Sequence, residues 1–257
     1  DRIEQVAFGF MASKVLFSAI EFGLFTELAK APLDAEAVRE RLGLHPRSIK
    51  DFLDALVAVG MLERRGEMYS NAADTEFYLD RTKPAYIGNF FEMLSVRCYP
   101  FWGSLGEAMI TGKPQNEIKR GEDIFEAVYA IPEKLGLFLR SMTGHSLPSA
   151  MAIARKFPWQ KYQTFADIGT AQGCLPVQVA LANPHLTGAG FDLPAVRPFF
   201  EEYVASFGLH DRIQFRPGDF FNDSMPTADV VVMGMILHDW NLESKRLLLK
   251  KAYEALP

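Results

Sequence analysis

The sequence predicts an α/β protein in which a helical N-terminal region precedes a doubly wound parallel sheet. Three observations carry this. After Trp159, short and wholly apolar runs alternate with helix-length segments, the pattern of parallel strands covered on both faces. The first of those runs ends in a glycine turn, "ADIGTAQG", that leads straight into a helix. Ahead of residue 87, apolar residues recur mainly at helical spacing.

Composition sets the bounds. The 257 residues are 49% hydrophobic and 23% charged, which suits one or two domains with a sizeable core. A net charge of -5 gives no broad attraction to nucleic acid or to an anionic membrane. Small uncharged or cationic partners stay open. Cys98 and Cys174 are far apart and belong to no CxxC or Cys/His cluster, so neither a disulfide framework nor a zinc site is expected. A cytoplasmic location follows as the expectation. No apolar run approaches the roughly 18 to 20 residues of a bilayer span, and "DRIEQVAFGF" lacks a basic region before a signal core. A start without methionine and a stop at "KKAYEALP" read as cut ends.

From Gln5 to Leu28 the residues Phe8, Met11, Val15, Phe17, Ile20 and Leu24 form an apolar stripe wider than one core face needs, which suggests burial against another helix or another subunit. Asp34 is placed to cap a short helix ending at Gly43, and His45-Pro46 to start a second with Ile49, Phe52, Leu53, Leu56 and Val57 on its apolar face. "MLERRGEMYSN" reads as two short strands around Arg65-Gly66. Together these are a helix-turn-helix with a wing. The unit serves either DNA binding or dimerisation, and acidic residues such as Asp51 and Asp54 on the would-be reading helix argue against DNA.

From Ile87 to Phe157 the chain reads helical, aromatic and methionine-rich, with a loop at Gly112-Lys113-Pro114. Phe138, Met142 and His145 share one helix face there, fit either for core packing or for a flat aromatic ligand. Strands then fit "TFADIG", "GAGFD", "RIQFRP" and "ADVVVMG", with helices at Cys174 to Ala182, Pro194 to Phe207 and Leu242 to Leu256.

In such a sheet the ligand sits at the carboxyl ends of the strands. After the first strand, Gly169 and Gly173 let the backbone bend and come close to a ligand. Asp192 ends the second strand about 20 residues further on, where a carboxylate binds ribose hydroxyls or caps the next helix. After the third, "GDFF" places Asp219 and Phe220 to hold a base. After the fourth, "GMILHDWN" brings His238, Asp239 and Trp240 to the mouth. A dinucleotide oxidoreductase is disfavoured because Gly169-x-x-x-Gly173 lacks the close glycine pair. A metal phosphohydrolase would need further His and Asp ligands, and the five histidines are scattered.

With "FADIGTAQG", "GFDLPAV", "GDFF" and "MILHDW" in this order, the chain resembles the S-adenosylmethionine-dependent small-molecule O-methyltransferases of the caffeic acid and acetylserotonin type. The resemblance implies three parts: a winged-helix dimerisation domain over 1–86, a helical acceptor-pocket region over 87–158, and a Rossmann-like S-adenosylmethionine-binding domain over 159–257. The last is expected to be incomplete, since family members continue with three more strands and an acidic partner for the catalytic histidine. The implied cofactor contacts are Ser146, Asp167, Gly169, Gly173, Asp192, Leu193, Asp219 and Phe220. The implied acceptor contacts are Phe138, Met142, His145, Met235 and Trp240.

The resemblance further makes His238 the general base for methyl transfer to a hydroxyl of a small aromatic or polyketide-like molecule, in a homodimer that needs no metal, nucleic acid or membrane. Asp239 either supports that base or caps the next helix. Two departures stand out: Thr170-Ala171-Gln172 replaces a glycine-richer loop, and Gly234 stands where plant members carry a lysine. The alternative is a winged-helix DNA-binding regulator whose Rossmann-like domain senses a ligand.

Overall fold

Asp34 accepts a hydrogen bond from the Ala37 amide at 2.8 Å, and Gly43 closes the same helix in the left-handed conformation, so that helix begins and ends where its sequence signals lie. The computed structural model describes residues 2–116, 119 and 128–257. Part of the expected helical segment from Ile87 to Phe157 (residues 117, 118 and 120–127) lies outside the described residues. The chain forms two compact units, 1–122 and 123–257.

In the first unit α1 (Arg2–Phe22) stops at Gly23, whose φ of +73° breaks the helix before α2 (Leu24–Lys30). Next come α3 (Ala35–Leu42), α4 (Ile49–Ala58), and the strands β1 (Leu62–Arg65) and β2 (Met68–Asn71), which pair antiparallel from Leu62↔Asn71 to Arg65↔Met68. The helices α5 (Ala73–Tyr78), α6 (Gly88–Met93), α7 (Tyr99–Trp102) and α8 (Leu105–Thr111) follow. Ile20, Leu24, Phe25, Leu53, Leu56 and Tyr69 make the core.

The hairpin is tied to α4 by its own charges. Asp54 accepts from the Tyr69 hydroxyl at 2.7 Å and from Arg64 at 2.8 Å, while Lys50 pairs with Glu67. These cations already face carboxylates rather than an open groove.

The apolar stripe of α1 divides in two. Ile20 is buried, whereas Phe8 and Met11 are 57% and 52% exposed and are joined on the surface by Ile3, Val6 and Phe10. One expectation is corrected here: α1 is long and apolar enough, by length and composition, to cross a bilayer. An uninterrupted-run count stops at Lys14, but the few charges of the helix, Arg2, Glu4, Lys14 and Glu21, leave its average hydropathy high.

In the second unit α9 (Pro132–Lys156) leads into β3 (Thr164–Ile168), α10 (Cys174–Ala182), β4 (Thr187–Asp192), α11 (Arg197–Ser206), β5 (Ile213–Pro217), β6 (Val230–Val232) and α12 (Leu242–Glu254). The strands are parallel in the order β5-β4-β3-β6. The helices α9, α10 and α11 cover one face through Leu139, Trp159, Phe165, Val177 and Phe200, and α12 covers the other through Leu248 against Ala166, Ile168 and Phe191. The four-residue alternation of apolar and glycine positions in β4 has a direct cause. A Cβ on Gly188 would enter the Phe165 ring and one on Gly190 the Phe200 ring, so these glycines make room for aromatic core.

Gly190→Ala is therefore expected to cost about 1–3 kcal/mol of stability, through overpacking against Phe200 and the Thr170 methyl group, read as a lower urea midpoint.

Candidate active site

The chain winds from β3 outward to β5 and then returns to place β6 on the other side of β3, so the strand order reverses at β3. In open α/β sheets the carboxyl ends of the strands at such a point form the ligand crevice.

The loop after β3 lies there. Gly169, Ala171 and Gly173 are all left-handed, with φ of +69°, +51° and +87°. For glycine this is free, but for Ala171 it costs roughly 1–2 kcal/mol. Hydrogen bonds hold the shape. The Ala171 amide donates to Asp192 Oδ2 at 2.9 Å, and the Leu193 amide to Oδ1 at 2.8 Å. Thr170 Oγ1 donates to Asp167 Oδ2 at 2.9 Å, and Gln172 Oε1 accepts from Thr143 Oγ1 on α9 at 3.1 Å. The three residues least like a glycine-rich loop thus each make a specific anchoring bond. Asp192 holds this loop as well as the backbone of its own turn, a larger role than capping the helix that follows.

Asp167 and Asp192 are buried carboxylates with no ion pair among the described residues. Burial pushes Asp167 up to about 7, offset in part by the Thr170 hydroxyl and reinforced by the charge of Asp192. Burial likewise pushes Asp192 up to about 6, against the stabilising Ala171 and Leu193 amides.

After β6 the chain again enters left-handed backbone, at Met235 with φ of +59°. The side chain of Ile236 then packs where a Cβ on Gly169 would stand, which brings this segment onto the β3 loop. His238 follows in a short 3-10 turn, Leu237–Asp239, with its side chain 58% exposed and Nε2 at 3.5 Å from Asp239 Oδ1. Asp239 does not cap α12. Asn241 does, accepting from the Ser244 amide at 2.9 Å, because the turn ends one residue later than a cap at Asp239 would require.

After β5, Asp219 accepts from the Phe221 amide at 2.8 Å and from the Asn222 side chain at 2.6 Å. Trp240 meets Phe221 edge-on at 4.6 Å and Phe220 at 6.1 Å, so the structure joins Trp240 to the aromatic group beside Asp219. On α9, Phe138 packs half-buried against the core with Tyr129 at 6.5 Å between ring centroids, and Met142, His145 and Ser146 are half-buried on the same helix.

Sequence reasoning missed Tyr129, Thr143 and Ile236. Tyr129 is half-buried within the field of Asp192, and desolvation and that charge both raise its hydroxyl above the ordinary range. Its place in an aromatic helical segment gave no signal for this. The odd loop composition did point to Thr170, Ala171 and Gln172.

Comparison with known proteins decides the family. The O-methyltransferase domain model matches residues 102–257, and the O-methyltransferase dimerisation domain model matches residues 4–81. The chain belongs to the S-adenosylmethionine-dependent O-methyltransferase family. Among curated proteins it is 41% identical to the tetracenomycin polyketide synthesis 8-O-methyl transferase TcmO of Streptomyces glaucescens, over 99% of this chain and 74% of that one. It is 38% identical to the N,N-dimethyltransferase OxyT of Streptomyces rimosus, over 98% of this chain and 74% of that one. Among solved structures, human N-acetylserotonin methyltransferase in complex with S-adenosylmethionine superposes with a TM-score of 0.88 at 28% identity, covering 99% of this chain and 76% of that chain.

The residues present suit that methyl donor. Two desolvated carboxylates without a cationic partner among the described residues match a ligand that carries a sulfonium and an ammonium group, and each Asp192 oxygen keeps a lone pair beyond its backbone bond for a hydroxyl.

The pH dependence follows in sign. From about pH 4 upward the folded chain keeps protons, on Asp192 until about pH 6 and on Asp167 until about pH 7, that the unfolded chain, with aspartates near 3.8, has released. Stability of the ligand-free protein is expected to fall as pH rises through this window, measured as the urea midpoint, with a shallower slope in Asp167→Asn.

Proposed function

We propose that this chain transfers a methyl group from S-adenosylmethionine to a hydroxyl of a small aromatic or polyketide-like molecule, with His238 as general base. The single observation that carries the reading is the contact between the two loops that matter: Ile236, two residues before His238, seats on Gly169 of the loop that Asp192 holds. The name of TcmO, an 8-O-methyl transferase of polyketide synthesis at 41% identity, supports the acceptor class.

In this reading the donor brings a methyl group already activated by its positive sulfur. The chain then has two tasks. Gly169 and Gly173 let the backbone close on the methionine end, with Asp167 below and Ser146 on α9 beside it. Asp192 and Leu193 take the ribose, and Asp219 and Phe220 the adenine. Phe138, Met142, His145, Met235 and Trp240 hold the acceptor ring, so that its oxygen lies in line with the methyl group. Such positioning supplies up to roughly 7–11 kcal/mol of barrier lowering. An imidazole nitrogen of His238 takes the hydroxyl proton as the oxygen attacks, and Asp239, 3.5 Å away, favours the charge that then forms on the ring.

A second acceptor chemistry has one observation in its favour, the 38% identity to an N,N-dimethyltransferase. An amine attacks through a lone pair that it already holds, so His238 would matter far less for such an acceptor.

The dimerisation-domain match supports a homodimer, and in this reading the exposed α1 residues Ile3, Val6, Phe8, Phe10 and Met11 meet the second copy. Nothing in the comparisons favours a DNA-binding regulator, and Lys50 and Arg64 face carboxylates.

An acceptor screen with isotopically labelled methyl donor tests the reaction. With any hydroxyl acceptor so found, His238→Ala is expected to lower turnover about 10²- to 10⁴-fold and to leave calorimetric binding of S-adenosylhomocysteine intact. Unchanged turnover would remove His238 from the chemistry. Sedimentation of the double substitution Phe8→Glu and Met11→Glu is expected to show monomer where the parent protein sediments as dimer.

A further inference from the structure

One contact in the second unit has no part in the chemistry just described. Thr143 Oγ1 donates to Gln172 Oε1 at 3.1 Å across 29 positions of the chain. Gln172 belongs to the loop after β3. Thr143 lies on α9 between Met142 and the pair His145-Ser146. The Cys174 thiol lies 3.7 Å from the Thr143 carbonyl, so this one residue grips the loop by its side chain and the start of α10 by its backbone.

Both partners of the contact need outside support. Pro148 stands inside α9 and has no N–H for the Gly144 carbonyl, so the helix loses a backbone bond one turn beyond Thr143. Ala171, next to Gln172, holds a left-handed φ of +51° that a side chain resists. A bond between these two places restrains the helix where its own ladder is interrupted, and the loop where its backbone is least content. Thr143 is half-buried and Gln172 is half-buried, so the bond is partly shielded from competing water.

We propose that the Thr143–Gln172 bond is a latch that sets α9 according to the state of the β3 loop, which makes both residues positioning residues for methyl transfer. Neither acts on the reacting atoms. Occupation of the loop orders α9 through the bond, and with it the half-buried side chains Met142, His145 and Ser146. The proposal rests on the reading that the loop Gly169–Gly173 receives the methionine end of the cofactor.

The test uses the whole chain and S-adenosylhomocysteine as probe, with affinity from calorimetry and amide hydrogen exchange along α9 as readouts. Thr143→Val and Gln172→Leu are each expected to weaken binding about three- to tenfold, the range one hydrogen bond supports. The double variant is expected to be no weaker than either single one, and Thr143→Ser, which keeps the hydroxyl, to stay within about twofold of the parent. In the parent protein the probe is expected to slow exchange over residues 140–146, and in Thr143→Val and Gln172→Leu that slowing is lost. A purely structural role would lower the melting temperature of the free protein and leave the probe-induced slowing in place.

Unchanged affinity in both single variants, additive losses in the double, or slowing of α9 that survives in both variants would each overturn the latch. If Thr143→Val fails to fold, Gln172→Leu and Thr143→Ser decide by the same criteria. Failure of the underlying reading looks different: the parent protein then shows no slowed exchange over residues 169–173 with the probe.

Discussion

The carboxylate of Asp192 is the constraint from which the site is built. One oxygen takes the amide of Ala171, the other the amide of Leu193, so a single side chain joins the turn after β3 to the turn after β4. Those turns lie beside each other only because β3 and β4 pair in parallel register, Ile168 opposite Phe191. The register in turn depends on Gly188 and Gly190, where any larger residue would collide with Phe165 or Phe200. A chain of steric and hydrogen-bonding conditions thus runs from the packed face of the sheet to the carboxylate at its edge. Burial weakens the acidity of Asp192, and the two amides hold back part of that shift, so the group is anchored without being fully committed to either charge state.

The two units manage polar groups in opposite ways. In the first, Asp54, Tyr69, Arg64 and Glu67 satisfy one another near the turn of the hairpin, and a broad exposed apolar surface runs along α1. In the second, Asp167 is buried and, among the described residues, has the Thr170 hydroxyl alone on its side chain. A protein–protein surface wants the first pattern, since a paired charge asks nothing of a partner and an apolar helix asks for one. A cation-binding pocket wants the second.

Legibility followed the same physics. The four parallel strands and their helices stand out in the sequence because wholly apolar runs between helix stops have few other folds to adopt, and the caps Asp34 and Gly43 act within a few residues of themselves. The ends of the strands were also legible, since topology alone sends a loop there. What was not legible depends on contacts across the chain. Tyr129 reaches the field of Asp192 only through the packing of α9, and Ile236 covers Gly169 only because β6 returns beside β3. Asp239 lost its alternative role as a helix cap to Asn241, two residues on, a margin that local sequence preferences do not resolve.

Thr170, Ala171 and Gln172 stand where a more flexible loop would carry glycine, and each has a defined anchor. Their consequence is entropic. A glycine-rich turn explores many backbone states before a ligand arrives and gives that freedom up on binding, whereas this turn has surrendered most of it during folding. The cost of ordering has moved from the binding step to the folding step, where the core of the second unit meets it.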